Sequence, residues 1–115
     1  MLVKGDVARA LFNTPEVLIA AKDMINSGSI RVDLTVREVT YIHLLLPGHQ
    51  ILWANGVETE SFHPASAALS TLGEADRLRL LARFPSLEYE PEQYGAFARR
   101  SLSSPEAAIL AFEAA

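Results

Sequence analysis

Residues 39–63 read V-T-Y-I-H-L-L-L-P-G-H-Q-I-L-W-A-N-G-V-E-T-E-S-F-H, and the pattern of this stretch decides what the chain can fold into. Asn55-Gly56 is the strongest short hairpin signal, because a two-residue turn matched to strand twist wants positive φ at both positions. Gln50 to Ala54 and Val57 to Ser61 flank it as the expected strands. Pro47-Gly48-His49 turns the chain just before them, and Leu44-Leu45-Leu46 reads as the end of a buried strand. Further back, Val36, Val39, Tyr41 and Ile42 interleave with Thr35, Arg37, Glu38 and Thr40. The alternation slips by one position at Glu38-Val39, as a bulge or a face-switching bend would make it do. Residues 30–61 are therefore expected to be a core rich in β-hairpins.

Outward from this core the character changes to helix. His63-Pro64 opens an alanine-rich turn or helix that ends by Gly73, and Glu74 to Phe84 has helical composition with Leu78, Leu81 and Ala82 on one face. Pro85 ends that helix, since proline removes a donor and restricts the residue before it. Leu87 to Gly95 reads as an irregular connection, and Ser104-Pro105-Glu106 starts a last helix running to about Phe112. On the N-terminal side, Val7 to Phe12 is a short apolar segment that stops at Asn13-Thr14-Pro15. Val17, Ala20, Ala21, Met24 and Ile25 then fit the spacing of an amphipathic helix, with Thr14 as its cap and Pro15 at its first position. A strand at Glu16–Ile19 followed by a short helix at Ala20–Ile25 fits the same residues, and the two readings stay open. The expected class is α+β, a single domain over residues 1–115 that is β-rich over 1–62 and carries a helical tail over 63–115.

Composition bounds the function. A chain of 115 residues supports one hydrophobic core. Half of its residues are apolar and the mean hydropathy is +0.16, high enough that some apolar surface is expected to need a partner. A formal net charge of −4 and a pI near 5.3 remove the broad positive footprint that phosphate backbones select, so nucleic acid is not expected as a partner. There is no cysteine, which excludes disulfides, thiolate metal sites and a cysteine nucleophile within the chain. Met1-Leu2-Val3-Lys4-Gly5-Asp6 shows no signal peptide. The longest apolar runs, Val17 to Ala21 and Ala107 to Phe112, are far too short to span a bilayer, so no membrane partner is expected. The compartment stays undetermined.

The unit from Val39 to His63 resembles the end of the Hint domain shared by hedgehog autoprocessing regions and inteins, above all bacterial Hint modules. Their C-terminal signature runs Y-x-H-L-L, then H, then W-A-N-G, then E-S-F-H-P, which this chain matches over Tyr41 to Pro64. Weaker similarity extends to the flanks: Glu16–Ile25 is similar to an E-V-L-V-x-A-K-x-L-V stretch, and Tyr94–Leu110 to the trailing arginine and E-A-x-x-L segment. The resemblance implies a fold of curved, intertwined hairpins in which an N-terminal Cys or Ser attacks its own preceding peptide bond, assisted by a Thr-x-x-His or Ser-x-x-His motif. It places His49 at the late histidine that in inteins supports the C-terminal step, and Ser61 where hedgehog Hint domains carry a late cysteine. Parent proteins of the family are often secreted.

The departures from that pattern set the functional expectation. Met1 stands where the family is already past its start, so the nucleophile and the assisting motif are expected to be missing. Thr40-Tyr41-Ile42-His43 spells Thr-x-x-His but aligns with the late block, and the chain ends Phe112-Glu113-Ala114-Ala115, without the terminal Asn of inteins. An acyl shift needs a nucleophile beside the scissile carbonyl and an acid or base within reach, and His49 supplies at most the second. Ser61, with Glu60 and His63 near it in sequence, is the weaker catalytic candidate and lacks the Gly-x-Ser-x-Gly elbow of serine hydrolases. His43, inside an apolar stretch, reads as a buried, hydrogen-bonded histidine. Trp53 and Tyr41 read as packing aromatics. His43, His49 and His63 with Glu60 lack the spacing of a zinc site, and no metal or cofactor is expected. The arginines between Leu78, Leu80, Leu81 and Phe84 read as a solvated face. The chain is thus expected to be the C-terminal part of a Hint-type module, inert alone, whose partner is the N-terminal half or a second copy of itself. The alternatives are a stand-alone interaction module on the same scaffold and a trans-acting half that regains activity when complemented.

Overall fold

A computed structural model describes residues 1–26, 28–40, 42–65, 72–89 and 94–114. The described chain mixes helices with short strands and divides into two compact units: residues 1–42, 51–60 and 99–115 form the first, and residues 43–50 and 61–98 the second.

The first unit is built on a three-stranded sheet. Strand β1 (Leu2–Lys4) pairs antiparallel with β2 (Glu16–Leu18), Val3 opposite Val17. On its other side β2 pairs parallel with β5 (Arg100–Ser101), Val17 opposite Arg100. Helix α1 (Asp6–Phe12) joins β1 to β2 and ends where Asn13 turns left-handed at φ 58°, its N–H bonded to the Arg9 carbonyl. Asn tolerates that conformation better than other non-glycine residues. Helix α3 (Ser104–Ala114) closes the core from the other end of the chain. Ala8, Val17, Ile19, Leu102, Ala107 and Leu110 are buried together, with Val3, Val7, Phe12 and Met24 packed against them.

Of the two readings left open at Val17–Ile25, the strand is the one adopted. Residues Glu16–Leu18 are β2 and Ala21–Met24 form one turn of 3₁₀ helix. Val17 and Leu18 are both buried, so the strand has no solvent face to produce alternation, and its apolar run fits a helix template equally well. The last helix starts as expected, but its cap is Ser103. The Ser103 hydroxyl accepts the Glu106 N–H at 3.3 Å while the Glu106 carboxylate accepts the Ser103 N–H at 3.0 Å, a reciprocal capping box. The Ser103 N–H, and then the Arg100 guanidinium, hold the Glu106 carboxyl below the usual range.

The Asn55-Gly56 hairpin forms in the first unit as expected. Strand β3 (Ile51–Ala54) pairs antiparallel with β4 (Val57–Glu60), with Trp53 opposite Glu58. Asn55 and Gly56 have φ of 52° and 78°, the two positive angles that the turn requires. Lys4 on β1 and Glu58 on β4 form an ion pair at 2.8 Å. Trp53, expected as a packing aromatic, is exposed, and Tyr41 lies outside the described residues.

The rest of the expected β-rich stretch differs. Residues 30–40 and 42–50 contain no strand, and the Leu44-Leu45-Leu46 run is irregular. In place of a ladder, the backbone between Ile25 and Val36 is tied by local side chains. Asn26 Oδ1 accepts the Gly28 and Ile30 N–H groups, and Asp33 Oδ1 accepts the Thr35 N–H and hydroxyl at 2.9 and 2.6 Å. Such bonds compete with strand pairing.

In the second unit, α2 (Glu74–Arg83) carries Glu74 and Asp76 in its first turn and Arg83 in its last, matching the helix dipole. Pro85 begins a 3₁₀ turn, Pro85–Glu88, which buries Leu87. The alanine-rich segment expected after Pro64 falls largely outside the described residues. No described helix is long and apolar enough to cross a membrane.

Candidate functional site

Two stretches of the second unit, 43–50 and 61–63, lie side by side through backbone bonds. The Ser61 N–H donates to the Gln50 carbonyl at 2.9 Å and the Phe62 N–H to the Leu44 carbonyl at 2.8 Å. The Ser61 hydroxyl accepts the Gln50 N–H at 3.0 Å, completing a reciprocal pair. This arrangement brings His49 and His63 together, both buried, with ring centroids 5.2 Å apart and planes near perpendicular.

Residues 94–98 close over the pair. The Phe97 ring stacks on His63 at 4.0 Å and stands edge-on to His49 at 5.6 Å, and Tyr94 meets His63 edge-on at 5.1 Å. The Tyr94 hydroxyl donates to the Leu46 carbonyl, and burial pushes its pKa up. The backbone fixes both imidazoles. The Ala98 N–H donates to His49 Nδ1 at 2.8 Å, so the neutral ring carries its proton on Nε2. His63 Nδ1 accepts the Ala65 N–H at 3.1 Å, and its Nε2 proton goes to the Gly95 carbonyl at 2.9 Å. Gly95 has φ of +121°, a conformation closed to most residues, so glycine is what allows that carbonyl to be presented here.

Sequence reasoning placed His49 correctly at a turn beside Gly48, and the structure buries it. Ser61 is buried too, but its oxygen is engaged by the Gln50 N–H, and among the described residues no histidine is hydrogen-bonded to it. That geometry makes Ser61 a ladder-closing residue. His43, expected to be buried and hydrogen-bonded, is exposed with its ring 5.0 Å from Phe62, because the apolar run that contains it does not form a strand. His63 is the residue that sequence reasoning undervalued. Its signal was present in the E-S-F-H-P end of the block, but its partners come from Gly95 and Phe97, more than thirty positions away. No group of three His, Asp or Glu side chains among the described residues could hold a metal ion.

A family model described as Hint domain matches residues 1–66, more than half of the chain. The chain belongs to the Hint domain family. The match takes in the block from Tyr41 to Pro64 and the flank at Glu16–Ile25, and so covers both histidines of the buried pair. The Hint match does not extend to Tyr94–Leu110, where trailing similarity was expected, so the residues that lock the pair lie beyond it. No curated protein and no solved structure matches the chain at a significant level.

Proposed function

We propose that this chain is the C-terminal portion of a Hint-type autoprocessing module, contributing a late histidine and no nucleophile, so that it does not cleave by itself. The observation that carries the reading is the match to the Hint domain over residues 1–66 together with the buried His49–His63 pair inside it. An acyl shift must take a proton from the attacking hydroxyl or thiol and give one to the departing amide nitrogen. With Nδ1 accepting the Ala98 N–H, His49 carries its proton on Nε2, so in this form it acts as a hydrogen-bond donor to the scissile carbonyl oxygen as negative charge develops there. The group that takes the nucleophile's proton comes from the assisting motif of the complete module. His63, bonded to backbone through both nitrogens, positions its neighbour. The lack of any cysteine and the engagement of Ser61 support inertness, since an activated nucleophile needs a base within hydrogen-bond reach.

The test uses mass spectrometry on two proteins. The chain alone, incubated at neutral pH with hydroxylamine, keeps its 12.6 kDa mass. The chain preceded by the in-frame genomic sequence upstream of it cleaves when that sequence brings a Cys or Ser nucleophile and a Thr-x-x-His or Ser-x-x-His element. His49→Ala slows that cleavage by about 100-fold or more, the ordinary worth of a hydrogen-bond donor to a developing oxyanion. Cleavage of the isolated chain overturns inertness. A longer protein that stays intact overturns autoprocessing and leaves the interaction-module reading.

A further inference from the structure

Residues 31–40 are exposed throughout, although their sequence alternates like a strand. Val32 is 60% exposed, Leu34 90% and Val36 50%, so the middle of one face, up to Glu38, is apolar and in water. Apart from the local turn at 34–35, no backbone pairing with another segment reaches 31–40 among the described residues, and the neighbouring Ile30 carbonyl accepts from the Asn26 N–H. A stretch with no neighbouring strand and an apolar face is a template for another strand.

The charges on the opposite face name the occupant. In an antiparallel pairing of the stretch with itself about a two-fold axis at Thr35, each residue faces the one equally far on the other side. Asp33 then faces Arg37 of the other copy and Arg37 faces Asp33. Thr35 faces Thr35, a favourable cross-strand pair, and on the apolar face Leu34 meets Val36 in both directions. Moving the axis by one position to Leu34 would instead set Arg31 against Arg37, like against like. We propose that residues 30–40 are a homodimerisation strand, pairing antiparallel with the same residues of a second copy about Thr35. The interface is isologous, so every favourable contact off the axis occurs twice, Thr35–Thr35 occurs once, and the assembly closes at two chains. The opposing force is local. Asp33 must release Thr35, whose N–H and hydroxyl it holds at 2.9 and 2.6 Å, before the stretch can extend. This inference is independent of the acyl-shift chemistry and gives self-association a register.

Sedimentation velocity over a range of concentrations tests it on the full chain. The expected result is a reversible shift from 12.6 kDa to twice that mass. Asp33→Arg and Arg37→Asp each place like charges opposite one another twice and weaken the dimer about tenfold or more, while the double swap restores it. Both substitutions lie on the exposed stretch, and circular dichroism checks that the monomer still folds. Because the chain has no cysteine, Thr35→Cys adds a single thiol that meets its own copy at the axis and crosslinks on oxidation. Glu38→Cys, about 20 Å from its counterpart in this register, does not. A chain that stays monomeric at millimolar concentration overturns the proposal. So does a dimer indifferent to both charge reversals, or one in which Glu38→Cys crosslinks as readily as Thr35→Cys.

Discussion

Residues 30–40 and residues 51–60 have related makings: both are rich in apolar residues, with Thr and charged side chains alternating in 30–37 and 57–60, and both belong to the first unit. Only the second stretch is a ladder. What separates them is the connection. Asn55-Gly56 brings β3 and β4 together at the cost of two ordered turn residues, and each strand supplies the other's backbone partners. No segment of the described chain is placed to do this for residues 30–40, and Asp33 folds the backbone onto its own side chain in the meantime. Strand-like composition is therefore a capacity, and a partner within reach is what turns it into structure.

That contrast can be broken most sharply at the turn. Gly56→Val forces a β-branched residue to φ near 78° and is expected to cost about 1–3 kcal/mol, read as a lower urea midpoint with faster amide exchange over Val57–Glu60. The companion substitution on the unpaired stretch, Leu34→Ser, is expected to change monomer stability by less than about 0.5 kcal/mol, as befits a side chain in water. A loss of about 2–5 kcal/mol there, the scale of a core truncation, would mean that residues 30–40 pack like a strand after all.

The smallest effect is the titration of Asp33. Its carboxyl is held below the usual range by the Thr35 hydroxyl and then by the Thr35 N–H. A carboxylate with a lowered folded pKa contributes stability above its unfolded value of about 4, and that contribution fades as pH falls through the folded value. The turn at 33–35 is accordingly expected to loosen in acid. Thr35→Val returns the Asp33 carboxyl shift measured by NMR toward the ordinary range, and an unchanged titration would show that the hydroxyl does not hold it.

The Asn55-Gly56 hairpin, the helix before Pro85 and the helix after Ser104 were legible because each is specified by neighbours in sequence: a turn dipeptide, a breaker, a cap. The sheet β1-β2-β5 was not, because β5 reaches β2 from the far end of the chain and shows as only two paired residues, Arg100 and Ser101. The overreading of residues 30–50 as β came from taking alternation as sufficient. At the site, the block from Tyr41 to Pro64 flagged His49, but burial of the pair depends on Tyr94, Gly95, Phe97 and Ala98, which no local pattern ties to a histidine.

The two compact units interleave along the chain: 43–50 and 61–98 are separated by the hairpin of the other unit, and 99–115 returns to the first. Cutting the polypeptide at any one bond leaves at least one unit missing a piece. A protease nick anywhere in the chain, or a premature stop, therefore leaves the first unit incomplete, and recombination cannot lift that unit out with a single crossover. In terms of inheritance and turnover, the first unit is kept only when the whole chain is kept.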